Sequence, residues 1–443
     1  MATPTTNIAN RDQAGQLKRD VGFLGATMMG LGSILGTGVF VSIGIAAGAA
    51  GPAVVLSIAV AALVATANGL SSAQLAANHP VSGGTYEYGY RWLNPSLGFS
   101  AGWMFVCAKS ASAATAALGC AGYFLNAVDQ SQTSWLTLLG LAVVIVLTLL
   151  VLSGIQRSNT ANIAIVSVTL VALAVFILTG LPMALHSGME NLTPFFAPVH
   201  AGTSAAQGIL EASALMFVAY TGYGRIATLA EEVRAPERSI PLAIIATLFV
   251  SMALYILIGL IGVASVGAET FAGSGVVQAA PLEIVAQQFS YPAAAKVIAV
   301  GAIAAMLGVL LNLILGLSRV VLAMARRGDA PHVLSVVGSA TATPYPAVIL
   351  VACIISGLVM VGDVKTTWSF SAFTVLIYYA ITNLAAIRLS KDERLYSPVF
   401  PWIGLFSCLF LAFWVEPRIW MLGLALIAVG LVWHNVARRL LPS

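Results

Sequence analysis

Apolar stretches separated by short polar segments follow one another along nearly the whole chain. Their approximate extents are Val21–Ala47, Ala53–Leu75, Leu97–Leu125, Trp135–Leu152, Ala161–Leu181, Gly208–Leu229, Ile240–Val263, Ala293–Ala325, Ala347–Val361, Trp368–Ile387, Phe400–Phe413 and Ile419–Val436. A helix needs about 20 apolar residues to cross a bilayer. The last two runs are the least regular, because Pro401 and Pro417 interrupt that region. Charged residues make up only 8% of the 443 residues, against about 25% in an ordinary soluble domain. That is too little polar surface to cover a water-soluble globule of this size. Soluble enzymes, nucleic-acid binders and disordered scaffolds are excluded together. The expected fold class is an all-α polytopic membrane protein with about twelve transmembrane helices.

Basic residues set the expected orientation. With the N-terminus inside, the cytoplasmic segments hold Arg11, Lys18, Arg19, Arg91, Arg157, Arg234, Arg238, Arg326, Arg327, Arg388, Lys391, Arg394, Arg438 and Arg439, while the outer loops hold Lys296, Lys365 and Arg418. This one-sidedness predicts that both termini are cytoplasmic. Met1–Asp20 lacks the apolar core of a cleavable signal peptide, so the first span is expected to stay in the protein. Cys107, Cys120, Cys353 and Cys408 all fall in apolar runs and imply no disulfide framework. The five histidines show no metal-ligand spacing, and no cofactor is expected.

Two spans carry glycine clusters near mid-depth. The first holds Gly30, Gly32, Gly36 and Gly38, and the sixth holds Gly222 and Gly224. Such clusters permit unwinding. They also let helices pack closely, and the first cluster alone does not separate the two readings. Interrupted helices at matching places of two halves point to an inverted-repeat carrier. Unwinding leaves backbone groups unpaired where each costs several kcal/mol. Their N–H groups and a helix N-terminus suit a carboxylate; their carbonyls and a helix C-terminus suit an ammonium. An α-amino acid carries both.

After the second break comes Ala230–Pro241, an acidic and basic loop bounded by proline, with Glu231, Glu232, Arg234, Glu237 and Arg238. Together with Phe217–Arg234, the Gly36-Thr37-Gly38 run, Pro80–Tyr86 and Arg319–Ala325, it resembles the amino acid–polyamine–organocation (APC) permeases. The sixth-helix stretch is most similar to their cationic amino acid transporter branch. The resemblance spans about Val21 to Arg388. It implies a five-plus-five inverted-repeat, leucine-transporter-like core with broken helices 1 and 6, two peripheral helices and alternating access. The organisation implied is a tail over residues 1–20, repeats over 21–206 and 207–394, and a peripheral segment over 395–443. By position, Gly36, Thr37 and Gly38 would hold a substrate carboxylate. Carbonyls at Ser33, Ile34, Phe217, Val218 and Tyr220 would hold the ammonium, beside Gly222. Tyr220 and Tyr223 would line or gate the pocket, or simply pack. The charged loop reads as a gate or folding element.

The sequence also departs from the family pattern. The fifth-helix lysine of proton-coupled relatives aligns with Thr169, and the eighth-helix hydroxyls of sodium-coupled relatives are replaced by Met306–Val309. The third-helix glutamate of the cationic branch falls on Ala108, and its sixth-helix aspartate on Gly224, which disfavours cationic substrates. Lys109 instead lies about 20 Å into the third span by helical rise. Three readings stay open for it: a displaced proton carrier, a lure for a substrate carboxylate, and a structural lysine bonded to carbonyls. Arg225 either braces the break or adds to its positive field. Glu211 pairs with a basic residue or lines the access path, and Arg319 snorkels to the cytoplasmic face.

The function expected is a secondary transporter of neutral or zwitterionic amino acids in the cell membrane, with protons as a candidate coupling ion. The alternatives are an uncoupled amino acid or amine exchanger and, more remotely, a transporter-like sensor. No nucleophile–base pair or phosphate cradle is visible, so no enzymatic activity is expected, and no nucleic-acid partner.

Overall fold

Each apolar run forms a helix in the computed structural model, which describes residues 21–79, 83–130, 133–154, 159–197, 199, 202–228, 233–273, 279–338 and 343–440. The N-terminal tail, Pro80–Tyr86 as far as Ser82, Arg157, Glu231 and Glu232 lie outside the described residues. The first span is divided into α1 (Phe23–Ile34), a π-helical turn (Gly38–Ser42) and α2 (Ile43–Ala50). Then come α3 (Val54–Asn78), the short α4 (Thr85–Trp92), α5 (Pro95–Ala127), α6 (Thr133–Leu152) and α7 (Asn159–Asn191). The sixth span is divided into α8 (Ala205–Tyr220), a 3₁₀ turn (Thr221–Tyr223) and α9 (Gly224–Thr228). The chain continues through α10 (Pro236–Val266), two short loop helices α11 (Ala268–Ala272) and α12 (Pro281–Gln287), and α13 (Ala293–Arg326). It ends with α14 (Tyr345–Val361), α15 (Val364–Ile387), α16 (Val399–Ala412) and α17 (Pro417–Leu440).

Local chemistry places the ends. The side chains of Asn94, Ser204 and Asp363 each accept a hydrogen bond from the backbone N–H three residues on, which caps α5, α8 and α15. Pro95 and Pro236 open their helices, where a missing N–H is harmless. Gly267 ends α10 at φ +80°, a conformation that side chains rarely adopt.

The helices sort into centre and periphery. In the most apolar stretches of α5 and α15, 83% of residues are buried, against 28% for α6 and 22% for α17. The outer helices face outward with Leu138, Val146, Leu149, Phe406, Phe410 and Val432. Lipid tails are as apolar as these side chains, so packing and hydrogen bonds, not hydrophobicity, hold the centre together. Alanines 108, 111, 113, 114, 116 and 117 of α5 are all fully buried, which lets neighbouring backbones approach closely. Between α5 and α15, Ser112 and Ser371 hydroxyls lie 2.7 Å apart and Thr115 donates to Thr367 at 2.8 Å. Such bonds contribute about 0.6 kcal/mol each.

On the N-terminal face, Asp329 is buried just past α13. It accepts from Tyr86 (2.7 Å) and Tyr90 (2.6 Å), and lies 3.1 Å from His434 Nδ1. Trp433 Nε1 donates to its carbonyl. Arg327 stacks over Tyr90 and pairs with Glu87 at 2.6 Å. This cluster fastens α4, α13 and α17 to one another.

Candidate substrate site at the paired helix breaks

The two breaks lie side by side. At the first, Leu35 leaves the helix (φ −78°, ψ 80°), and Gly36 N–H turns back to Ile34 O at 3.0 Å. The helix resumes when Val39 and Phe40 N–H bond to Gly36 O. Thr37 Oγ1 is buried without a hydrogen-bond partner among the described residues. At the second, α8 ends at Tyr220 and a single 3₁₀ turn leads into α9.

One hydroxyl spans both. Tyr255 Oη of α10 lies 2.9 Å from Ile34 O and 3.2 Å from Ala219 O. A hydroxyl has one proton, so it is shared between two carbonyls that the breaks release. Glycines allow this closeness: a Cβ on Gly222 would meet the Ser33 carbonyl, and one on Gly38 would come 2.7 Å from Tyr255 Oη. Tyr255→Phe is expected to insert normally but to loosen the registration of the breaks. At about 1 kcal/mol for the one shared hydrogen bond, amino acid binding should weaken about fivefold. Unchanged affinity in a titration would remove Tyr255 from the site.

Lys109 of α5 donates to Thr221 Oγ1 at 3.0 Å, and Thr221 Oγ1 donates to Val218 O at 2.8 Å. The ammonium therefore stands at the C-terminal, negative end of α8, which favours a cation. Tyr379 of α15 donates to Thr221 O at 3.3 Å. Tyr220 and Tyr223 are fully buried. Tyr220 reaches Ile58 O at 3.4 Å, and the Tyr223 ring lies 5.6 Å from that of Tyr379. Phe217 packs edge-on to Tyr379 as well.

Thus Ser33, Ile34, Gly36, Thr37, Gly38, Phe217, Val218, Tyr220, Gly222, Tyr223 and Lys109 belong to one neighbourhood around the breaks. Arg225 follows the second break at the start of α9 and is partly exposed. Glu211 lies apart, toward the opposite face, within electrostatic reach of Lys365, which pairs with Glu416 at 3.0 Å. Thr169 is turned into its own helix, bonding Ile165 O at 2.8 Å. Val309 of α13 presses on the first break, 2.5 Å from where a Gly36 Cβ would stand. The backbone of Arg234 bonds Val21 O at 2.9 Å, so the loop after the sixth span is tied to the start of the first.

Burial around the site is asymmetric. Every residue over 34–54 is buried, whereas Met28, Met29, Ser33, Lys109, Gly222, Gly224 and Arg225 retain exposure. The breaks are sealed on the side opposite the N-terminus, where α11 and α12 lie against α2. A Cβ on Gly44 would meet Pro281 at 2.7 Å and one on Gly48 would meet Ala272 at 3.1 Å.

Sequence reading located the breaks but passed over Tyr255, Thr221 and Tyr379. Lone polar groups in the middle of apolar runs were the available signal, since such groups need a partner at that depth.

A many-spanned helical bundle with two adjacent mid-membrane breaks defines a membrane transporter of the leucine-transporter fold. The amino acid permease family model matches residues 25–433, and the chain belongs to that family. An uncharacterised transporter of Mycobacterium tuberculosis is 38% identical over 429 residues, covering 97% of this chain and 93% of the relative. The branched-chain amino acid permease of Bacillus subtilis is 29% identical over 429 residues, covering 91% and 90%. The crystal structure of MhsT in complex with L-phenylalanine matches with a TM-score of 0.62 at 14% identity, covering 94% of this chain and all of the other, a likeness of fold.

Proposed function

We propose that the protein is a secondary amino acid transporter of the cell membrane, with both termini cytoplasmic, working by alternating access around the paired breaks. The carrying observation is the Tyr255 hydroxyl that holds the Ile34 and Ala219 carbonyls together. It supports a site whose recognition is mainly by backbone. The backbone around Gly36–Gly38 and the unpartnered Thr37 hydroxyl would take the α-carboxylate. Carbonyls at Ser33, Ile34, Phe217, Val218 and Tyr220 would take the α-ammonium, with Gly222 leaving room for the backbone and Tyr223 closing the wall.

The repeats are assigned to 21–206 and 207–394, with 395–443 peripheral. In this orientation the sealed side is external, and the structure is closed to the outside. Lys109 adds a positive charge beside the site, which repels cationic side chains. The likeness to a branched-chain amino acid permease supports a neutral, apolar substrate. Lys109 is the candidate coupling group, and Arg225 and Glu211 act as supports of the gates.

A second reading, obligatory exchange without ion coupling, is favoured by two positions. Among the described residues Thr169 bonds within its own helix, and α13 presents Val309 where a hydroxyl would be needed. Uptake of labelled neutral, acidic and basic amino acids into liposomes separates the readings. Accumulation of neutral amino acids driven by an inward proton gradient supports symport. Uptake only after internal preloading supports exchange. Uptake of none by a folded, inserted protein contradicts both.

A further inference from the structure

We propose that Glu283 on α12 is the protonation site that governs closure of the external lid: it takes up a proton when α12 seats over α2 and releases it when the lid opens. Calling this face external rests on the orientation proposed above; the juxtaposition itself does not.

Glu283 is only 2% exposed although it belongs to a loop helix. Its Oε2 has no hydrogen-bond partner among the described residues. A carboxylate buried with one oxygen left unpaired is costly, whereas a carboxylic acid there costs far less. The helix that carries it is wedged between two transmembrane elements. Pro281 meets Gly44 of α2, and Ala279 just before α12 meets Gly122 of α5. Tyr123 of α5, within electrostatic reach of Glu283, donates to Phe40 O in the π turn at 2.6 Å. The carboxyl therefore stands at a joint between the lid, α5 and the outer half of the first span. A lift of α12 that opens the route to the breaks also admits water to Glu283.

The groups that face it settle the direction of the response. From α5, Asn126 draws toward the charged form, yet Asn126 Nδ2 completes no hydrogen bond. Asp129, just past α5, repels the charged form. Of the other elements packed on α12, α7 carries His186 and Glu190, α11 carries Glu269 and α13 carries Lys296. These four are exposed and do not act on the carboxyl. The π turn, α2 and the near end of α10 carry no charged residue. Burial, aided by Asp129, pushes the Glu283 pKa from 4.5 up to about 7. With the lid lifted, the carboxyl returns to the ordinary value.

The linkage follows from those two values. Below about pH 4.5 both lid positions hold the proton and the balance is flat. Between about 4.5 and 7 the closed form binds more protons, so the closed-to-open ratio falls about tenfold per pH unit. Above about 7 it levels off. External acid shuts the lid.

Pulsed electron–electron resonance between spin labels at Gln287→Cys on α12 and Ser134→Cys on α6 reads the lid directly, with the four native cysteines replaced. Both positions are exposed. In the parent protein a short distance should dominate at pH 5, and a longer one should grow in by pH 7. Glu283→Gln, a mimic of the protonated form, should stay at the short distance throughout. Asp129→Asn removes the repulsion on the charged closed form, so the response should level off at lower pH and leave a larger share of the short distance at pH 7. Asp129 has φ +56°, a conformation asparagine also accepts. A parent distribution that ignores pH overturns the proposal, as does a Glu283→Gln profile that follows the parent. If Glu283→Gln fails to fold, an Asp129→Asn variant whose share of the short distance at pH 7 equals the parent's overturns it equally. The labels need no substrate, so a pH-driven lid on a protein that takes up no amino acid retains this proposal and defeats the transport reading.

Discussion

A Gly222→Val variant is expected to insert and purify like the wild type and to weaken amino acid binding by roughly 10- to 100-fold. The reason is local and steric. A Cβ at position 222 would collide with the Ser33 carbonyl and stand 2.7 Å from Ile34 Cγ1. Neither neighbour is the far end of a flexible side chain, because the first is backbone at the break itself. Overpacking of this kind costs about 1–3 kcal/mol. Here the strain is relieved by pushing the two breaks apart, so it falls on the site. Gly316→Ala is the matched control: it also adds a side chain to a membrane helix, but nothing stands within 4 Å of it. Its affinity should equal that of the wild type. A folded Gly222→Val variant with wild-type affinity would show that the substrate does not sit between the breaks.

Lys109→Met is expected to reduce uptake by about 10- to 100-fold. The hydrogen bond from its ammonium to Thr221 Oγ1 fixes the turn at the second break. Bonds made by charged groups contribute about 1.5–3 kcal/mol. Methionine keeps the length of the side chain and removes both charge and donor, so the space beside Thr221 stays filled. Two further readouts divide the roles open to this lysine. A proton carrier leaves residual uptake in the variant indifferent to a proton gradient. A structural brace leaves the gradient dependence unchanged and lowers the melting temperature instead.

The sequence made the helices and the two breaks legible because both are local signals. Apolar length marks a span, and glycines at Gly36, Gly38, Gly222 and Gly224 mark where a helix can unwind. Even the weak eleventh and twelfth runs, interrupted by Pro401 and Pro417, became α16 and α17. Pro417 proved to be the first residue of α17 and not a break within it. The partners of the breaks were not legible. Tyr255 lies 221 positions from Ile34, and no periodicity in either segment encodes that meeting. Asp329 drew no notice as a loop acid, yet it collects Tyr86 and Tyr90 from more than 200 positions away and His434 from 105. Glu283 was equally silent, since an acid in a loop normally faces water. Only the packing of α12 against α2 and α5 makes it a buried one. Lys109 was conspicuous in the sequence, because an ionised group at that depth needs a partner. Its partner, the Thr221 hydroxyl, came only from the structure.

The central claim is that the paired breaks recognise the α-carboxylate and α-ammonium together through backbone groups. Titration calorimetry of the purified protein tests it with one neutral amino acid, its methyl ester and the corresponding decarboxylated amine. Saturable binding of the amino acid, with each analogue weaker by about 100-fold or more, is the predicted result, since each loses one charge-assisted set of hydrogen bonds. Equal binding of the amine and the amino acid would contradict the carboxylate site at Gly36–Gly38, and with it the assignment of the breaks as an amino acid site.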